Sequence, residues 1–423
     1  MESAGRTEIV CRASAGGALQ CHEPRPLRPR PRERPIASRV DPREATGRLV
    51  LSDVYKGRNM AGVRQGEIKK LLVLEQLPKP VNFSGGPWPL SVGGTFTLAR
   101  ILGTVPVEPD GSASFDVPAL RSIFFLALDE NDRGVKRMQS FVTLQPGETV
   151  GCVGCHEHRV QSPHAQIGLL ALDRRAGQIE PIAGVPDVID FPRDVQPILD
   201  RHCVECHNPD RYEGRVDLSG DHTPLFSQSY WTIIQRALIA DGRNEPYGNR
   251  PPRTIGSSAS RLLELFDGSH YDARPSRRER DVVRLWIDSS APYPGTYAAL
   301  GSGMEPVAFP VKTFEQRCGS CHGTEPNTKP PIGDGLYFTF GGEGPPLPLV
   351  HDLADLKKIR GAMGYFKFGR GRTPQSLANL TRPEKSLLLR APLSTEAGGL
   401  GLCRADVFAD TLDADYQEIL DSI

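Results

Sequence analysis

Short apolar runs rich in Val, Ile, Leu and Phe recur between Thr46 and Gln161, and turn-forming residues separate them. The clearest turns are Glu108-Pro-Asp-Gly111 and the segment from Asp129 to Gly134. Runs of this length, bounded by Gly, Pro, Asn and Asp, are typical of β-strands, so this part of the chain predicts a β-sandwich. The predicted strands cover residues 48–55, 68–77, 95–107, 112–117, 122–128 and 135–144.

Helical spacing replaces this pattern from about residue 190 onwards. Val195, Ile198 and Leu199 form an apolar stripe that leads into Cys203. A second stripe, over residues 230–238, has apolar residues at every position that faces one side of a helix. Two helices are therefore predicted here, one of them ending at a cysteine.

Capping boxes predict where further helices begin, because Ser or Thr followed three residues later by Glu satisfies the first free N–H groups of a helix. Ser276 and Glu279 have this spacing, and Thr381 and Glu384 have it again. Residues 413–423 have the pattern of a closing helix that is cut short. The elements after residue 305 thus resemble a weaker copy of those before it.

One pentapeptide occurs three times in the sequence: two cysteines separated by two residues, with a histidine directly after the second. Random order of 9 Cys and 10 His in 423 residues would give about 0.005 copies. C-x-x-C-H is the attachment motif of c-type haem, because its thiols add across the porphyrin vinyl groups and its imidazole reaches the iron. The gaps between the copies are too long for a zinc ribbon. We expect three haems c, attached through Cys152 and Cys155, Cys203 and Cys206, and Cys318 and Cys321, with iron ligated by the motif histidines His156, His207 and His322.

The motifs and the predicted elements together indicate a multidomain α+β fold. A helix that bears the motif and a closing helix about 80 residues later follow the plan of a cytochrome c. The predicted organisation is a disordered Arg/Pro-rich linker over 1–45, a β-sandwich-like domain with the first motif over 46–165, and two mostly α cytochrome c-like domains over 190–297 and 305–423, the last of them truncated.

Charge and hydropathy limit the partners and the location of the chain. The 51 Lys and Arg residues balance 51 Asp and Glu residues, so neither nucleic acid nor an anionic membrane is an expected partner. No apolar run is long enough to span a membrane. Residues 1–20 lack the apolar segment of a signal peptide, although haem c is attached outside the cytoplasm. We therefore expect a piece of a longer, exported protein that works in the periplasm or another extracytoplasmic space.

The second axial ligand of each haem decides between electron transfer and substrate binding, because two strong ligands close the iron. For the second haem, His270 lies on a loop between predicted helices that could fold over the porphyrin, and His222 is its rival. The other candidates are Met363, His351 and Met304 for the third haem, and His158 or His164 for the first, where an open position is the alternative.

The chain resembles the hydrazine synthase alpha subunit, and more closely the multihaem proteins related to it in planctomycetes and their environmental relatives, over most of residues 25–423. The segments that carry this resemblance are Gly47-Arg-Leu-Val-Leu51, Pro109-Asp-Gly-Ser112, Pro146-Gly-Glu148, Cys152-Val-Gly-Cys155-His156-Glu157, the run from Asp194 to His207, and Gly268-Ser-His-Tyr271. The resemblance implies a haem-bearing middle domain followed by a planctomycete-type cytochrome domain.

The resemblance also implies unusual ligands at the first haem. In the hydrazine synthase alpha subunit, a tyrosine shortly after the first motif holds the iron, while the motif histidine binds zinc. The corresponding histidine is His156, which implies zinc at His156 as an alternative to iron. The residues from Glu157 to Val160 include no tyrosine, which departs from the family pattern. The second haem of the family is held by two histidines, which implies His207 together with His270.

These observations favour an exported triheme c-type cytochrome that exchanges electrons with redox partner proteins. One alternative is a haem oxidoreductase, similar to hydrazine synthase or acting on another small inorganic substrate, with an open first haem. Another is a module whose first motif binds structural zinc. The sequence therefore leaves open whether the chain is an enzyme, assigns no catalytic residue, and leaves open whether the protein is an oligomer.

Overall fold

The computed structural model describes residues 38–80, 90, 91, 95, 97–155, 168–240, 249–300, 302, 303, 307, 309–320 and 377–423. The chain divides after Arg39, and all the elements given below belong to Val40–Ile423. Most of the linker predicted over 1–45 lies outside the described residues, and so do residues 321–376.

The described strands pair into two sheets. They are β1 (Thr46–Leu51), β2 (Lys70–Gln76), β3 (Ala99–Pro106), β4 (Ala113–Pro118), β5 (Ser122–Leu128), β6 (Gly134–Arg137) and β7 (Thr149–Cys152). One sheet has the order β4-β1-β7 and the other β3-β2-β5-β6. The pairs are antiparallel except for β1 and β7, which run parallel.

Strand β2 is buried along almost its whole length, because both faces of its sheet are covered. Successive side chains of a strand point to opposite faces. Leu71 and Val73 pack in one apolar cluster with Leu49 of the first sheet. Leu72 and Leu74 pack on the other face, in a cluster formed largely by the helical segments. The second sheet is thus the middle layer between the first sheet and the helices.

Two features of the sheets differ from the sequence-based expectation. The strand predicted over 135–144 ends at Arg137, and a bridge between Val142 and Ile123 continues the pairing. Strand β7 has no counterpart among the predicted strands, because its four residues lack a strong apolar pattern. Its pairing with β1 places Cys152 opposite Leu51, so the first motif begins inside a sheet.

The described helices lie after the sheets. They are α1 (Gln196–His202), α2 (Gln228–Gln235), α3 (Arg277–Asp288), α4 (Val311–Cys318), α5 (Leu387–Arg390) and α6 (Ala414–Asp421). The capping box predicted for α3 is confirmed: the Ser276 side chain accepts from the N–H of Glu279, and Glu279 accepts from the N–H of Ser276. With two sheets and these helices, the fold is of mixed α+β type.

Two helix boundaries predicted from local pattern are wrong. The hydroxyl of Thr381 accepts a hydrogen bond from the N–H of His222 at 2.9 Å, and no capping box with Glu384 forms. Helix α2 ends at Gln235, three residues earlier than predicted, where Ala237 adopts a positive φ of 51°. In the first case a contact between distant segments outweighs the local pattern.

Helices α4, α5 and α6 share a third apolar cluster. Its largest members are Phe314, Leu388, Leu389, Phe408, Tyr416 and Ile419. The helix that ends at Cys318 is thereby packed against the last helix of the chain. None of the helices in the described part of the chain is long and apolar enough to cross a membrane.

Candidate haem sites

The second C-x-x-C-H motif forms a tight turn at the end of α1. The N–H of Cys203 donates to the carbonyl of Leu199 at 2.8 Å. The N–H groups of Cys206 and His207 then both donate to the carbonyl of Cys203, at 3.2 and 2.9 Å. These bonds hold both thiols and the imidazole within one turn, which is the arrangement that attachment to a single porphyrin requires.

A backbone carbonyl orients the ring of His207. Its Nδ1 lies 2.9 Å from the carbonyl oxygen of Glu213, which can only accept a hydrogen bond. Nδ1 therefore carries the proton and Nε2 keeps its lone pair. Histidines that bind metal ions almost always have this kind of support from a carbonyl or carboxylate. The chain thus presents His207 in the tautomer that suits a metal ligand at Nε2.

The structure brings His207 and His270 together. Their ring centres are 5.8 Å apart and their planes differ by 9°. Two imidazoles on opposite sides of one metal ion, each with a nitrogen about 2 Å from it, have ring centres about 6 Å apart. The separation of the ring centres therefore leaves room for one metal ion between the two side chains. Ligation of one iron by both histidines stays a prediction.

The loop that carries His270 is held by its own hydrogen bonds. The carboxylate of Asp267 accepts from the N–H of Ser269 at 2.7 Å, and the carbonyl of His270 accepts from Ala273 at 3.0 Å. The ring of Tyr271 meets that of His270 edge to face, with centres 5.0 Å apart. These contacts fix the position from which His270 faces His207.

The rival ligand His222 lies in different surroundings. Its N–H donates to the hydroxyl of Thr381, and its carbonyl accepts from the N–H of Leu380 at 2.8 Å. Its backbone therefore joins the second predicted cytochrome-like segment. Of the two histidines proposed from the sequence, it is His270 whose ring lies near that of His207, with ring centres 5.8 Å apart.

Burial keeps the groups of this site uncharged. It raises the pKa of the Cys203 thiol to about 11, with a smaller contribution from Cys206. Burial also lowers the pKa of His207; the hydrogen bond to the Glu213 carbonyl opposes this shift, and the neighbouring His270 adds to it. A neutral imidazole is the form that binds metal, so the environment favours the ligating state of His207.

Backbone hydrogen bonds anchor the first motif to the segment after β1. The N–H of Ser52 donates to the carbonyl of Cys152 at 2.8 Å, and the N–H of Cys155 donates to the carbonyl of Lys56 at 2.7 Å. Two glycines permit this close approach. A Cβ on Gly154 would overlap the backbone oxygen of Lys56, and one on Gly57 would overlap that of Cys155.

Both cysteines of the first motif line a cavity of about 230 Å³, which is bordered by residues of both sheets. Apolar side chains from both sheets form most of its wall, and Lys136 and Ser140 also line it. Ligand sites are typically concave, largely apolar and provided with a few polar groups. At about 230 Å³ the cavity is smaller than a typical ligand pocket of about 300–1,000 Å³, so it would enclose only part of a porphyrin linked to Cys152 and Cys155. The apolar wall residues are Leu49, Leu51, Leu71, Phe125, Ala127, Met138 and Val142.

The structure gives only the beginning of the third motif. Cys318 is the last residue of α4, and Arg317 beside it donates to Asp413 of the cap of α6 at 2.6 Å. The remaining motif residues and several candidate ligands lie outside the described residues: His156, His158, His164, Met304, Cys321, His322, His351 and Met363. In the described ranges, no group of three or more His, Cys, Asp or Glu side chains could hold a metal ion.

Two functional groups at these sites, a backbone carbonyl and a lysine side chain, were not predicted from the sequence. The carbonyl of Glu213, which orients His207, is a backbone atom and leaves no signal in the sequence. Lys136 lies in a short strand of otherwise ordinary composition, and only the fold places it in the same cavity wall as Cys155.

The sheets, the helices and the repeated motifs define an α+β protein with haem-attachment sequences in both its β and its helical parts. Residues 66–157 match the family of the hydrazine synthase alpha subunit middle domain. This part of the chain is thus related to hydrazine synthase alpha subunits, which confirms the resemblance seen in the sequence for these residues.

Among solved structures, the chain is similar to hydrazine synthase from Kuenenia stuttgartiensis, with 18% identity and a TM-score of 0.43. The similarity covers 60% of this chain and 44% of that chain, so this chain spans less than half of the solved protein. No curated protein matches the sequence.

Proposed function

We propose that the chain is part of an exported c-type cytochrome that carries three covalently attached haems and transfers electrons. The observation that carries this proposal is the facing pair of His207 and His270 at the end of the second motif. When bound, haem supplies a one-electron redox couple whose potential depends on its axial ligands and surroundings.

At the second site, the thiols of Cys203 and Cys206 form the thioether links. His207 and His270 would be the iron ligands, and the carbonyl of Glu213 holds the His207 ring in place. With two strong ligands, a haem bound here would supply electron transfer rather than substrate binding.

The first haem is attached through Cys152 and Cys155 within the β-sandwich-like part, and the third through Cys318 and Cys321. His156 and His322 complete these motifs. The helix that leads into each of the last two motifs packs with a later helix, α1 with α3 and α4 with α6. This pairing supports two cytochrome c-like units after the sandwich.

The proposed location is the periplasm or another extracytoplasmic space, because covalent attachment of haem c takes place there. Redox proteins are the proposed partners, and an oligomer is compatible with the proposal. The relation of residues 66–157 to hydrazine synthase alpha subunits supports a redox role for the chain.

A second candidate function is an oxidoreductase that acts on a small inorganic molecule at the first haem. The cavity beside Cys152 and Cys155, with the cationic Lys136 in its wall, favours this alternative. Zinc at His156, which the family resemblance implies, would instead make the first motif a structural metal site.

The test is low-temperature EPR with haem and zinc quantitation, on protein produced with an added export signal and a cytochrome c maturation system. Three low-spin ferric signals per chain would support electron transfer at all sites. One high-spin signal beside two low-spin signals would favour the enzyme. A chain with stoichiometric zinc and no haem would overturn the proposal.

A further inference from the structure

We propose that Lys136 binds an anion in the cavity of the first haem. Its ammonium pairs with a carboxylate or a small inorganic anion beside the porphyrin at Cys152 and Cys155. The inference rests on the proposed function, since that function places a porphyrin in this cavity. Either the porphyrin itself supplies the anion, through a propionate, or a free anion from solution does.

Lys136 is buried, with 5% of its surface exposed, although lysine is among the residues most rarely buried. Its Nζ donates to the backbone oxygen of Asn59 at 3.1 Å and to that of Arg250. An ammonium has three N–H donors, and these two carbonyls use two of them. One donor is therefore left for a group in the cavity that Lys136 lines.

The charge of Lys136 lacks a carboxylate partner among the described residues. The nearby ionisable groups are the Cys155 thiol and the guanidinium of Arg58, which carries a second positive charge. Thioether formation would remove the ionisable thiol of Cys155, so the haem-loaded cavity would contain uncompensated positive charge. Burying an unpaired charge is strongly unfavourable, and an anion in the cavity would relieve that cost.

The two carbonyls also fix the position of the Lys136 ammonium. Asn59 lies after β1, and Arg250 lies in the helical part of the chain, so Lys136 connects the sandwich to a distant segment. A cation held in this way beside a haem disfavours the ferric state, which has one more positive charge than the ferrous state. Lys136 is thus expected to raise the reduction potential of the first haem.

Potentiometric titration of the holo-protein tests this inference, with Lys136→Gln as the neutral variant and Lys136→Arg as the charge-conserving one. We expect Lys136→Gln to lower the potential of one haem by about 59 mV or more, a tenfold change in its reduction equilibrium. Lys136→Arg should retain most of the wild-type potential. Lys136→Met is a second neutral variant, which keeps the apolar stem if glutamine disturbs folding.

Lys70→Gln is the matched control. It removes a lysine charge from the same sheet, but Lys70 pairs with Asp132 at 2.9 Å and is half-exposed. This variant should leave all potentials unchanged. A Lys136→Gln protein with full haem content and unchanged potentials would overturn the inference.

Nitrate then distinguishes the two sources of the anion. If the wild-type potential falls with added nitrate and that of Lys136→Gln does not, the anion comes from solution. If neither responds to nitrate while the variant still has the lower potential, a propionate is the partner. Absence of haem from Cys152 and Cys155, found by haem quantitation and thiol labelling, would overturn the proposed function instead, and this inference with it.

Discussion

The guanidinium of Arg201 donates two hydrogen bonds to Oε1 of Glu279, at 3.0 and 2.7 Å. Arg201 lies on α1, two residues before the first cysteine of the second motif, and Glu279 is the third residue of α3. The same carboxylate completes the capping box with Ser276. One side chain therefore begins the closing helix and ties it to the helix that leads into the motif.

The last part of the chain repeats this arrangement. Arg317, directly before Cys318, donates to the carboxylate of Asp413 at 2.6 Å, and Asp413 caps α6. In both parts, an arginine of the motif helix thus pairs with an acidic residue at the start of the last helix. The repeat suggested by the sequence has a structural basis in these two ion pairs.

We expect Glu279→Gln to destabilise the protein at pH 7 by about 1 to 2 kcal/mol, discounted for partial exposure of the pair. Burial opposes ionisation of Glu279, but hydrogen bonds from Ser276 and Arg201 lower its pKa from 4.5 to about 2. Because the pKa is lowered, the contribution of Glu279 to stability is complete above about pH 4.5 and disappears as the pH falls towards 2. Denaturant unfolding of both proteins between pH 7 and pH 2 measures the difference, and a gap that stays constant with pH would contradict the prediction. Glutamine retains the capping box, so the loss reports the charge.

The parts of the fold that could be predicted from sequence are those set by local chemistry. The apolar stripe before Cys203 and the capping box at Ser276 act within a few residues, and both lie where the pattern places them. His270 could be proposed because it follows a Gly-Ser turn between helices, and its ring centre lies 5.8 Å from that of His207.

Features set by distant contacts could not be predicted. Thr381 has the spacing of a capping residue, yet its hydroxyl accepts a hydrogen bond from His222, which lies far away in sequence. Strand β7 is defined by its pairing with β1 rather than by its own composition. Lys136 becomes part of a site only when Asn59 and Arg250 are brought to its ammonium.

Replacing His270 with Met should convert the second haem from bis-histidine to histidine–methionine ligation. Methionine raises the reduction potential relative to histidine, so one of the three potentials should move upward. A redox titration of the variant, monitored at the absorption band of methionine-ligated ferric haem, measures this shift in potential. The control is His222→Ala, which should leave the spectrum of this haem unchanged. A spectrum altered by His222→Ala and not by His270→Met would assign the ligand to His222.

Gly154→Ala should prevent haem attachment at the first motif, although this position is variable in a C-x-x-C-H sequence. The new Cβ would overlap the backbone oxygen of Lys56, to which the N–H of Cys155 is bonded. Gly151→Ala is the control, since a Cβ at Gly151 meets nothing within 4 Å. We expect haem per chain to fall by about one in Gly154→Ala and to stay at the wild-type value in Gly151→Ala. Equal haem content in the two variants would mean that the loop has room to adjust.

Arg382 and Asp221 should stabilise the contact between the last part of the chain and the second motif region. Arg382 donates from Nε and Nη2 to Oδ2 of Asp221 at 2.9 and 2.7 Å, and Asn379 donates to the same oxygen. Asp221 is 12% exposed, so its charge is costly to leave unpaired. Arg382→Met should therefore cost about 1 to 3 kcal/mol of unfolding free energy.

A double-mutant cycle with Asp221→Asn isolates the contribution of this pair, and a coupling energy near zero would show that the contact is not stabilising. Lys385→Met is the control at the same contact. Lys385 pairs with Asp210, which is 54% exposed, so its loss should cost less than about 0.5 kcal/mol.

Asp217→Asn should stabilise the protein at neutral and higher pH. Burial raises the pKa of Asp217 to about 6 from 3.8; the hydrogen bond from the N–H of Ser219 opposes the shift, and the negative charge of Asp221 adds to it. With a raised pKa, folding favours the protonated acid, so the contribution of Asp217 to stability is complete below about pH 3.8 and is lost as the pH rises through 6. Asparagine stays neutral and can still accept the 2.9 Å bond from the N–H of Ser219. Denaturant unfolding should give the variant an advantage of about 1 to 3 kcal/mol at pH 8 and almost none at pH 4. A wild type that is more stable than the variant at pH 8 would mean that the Asp217 carboxylate has a stabilising partner when charged.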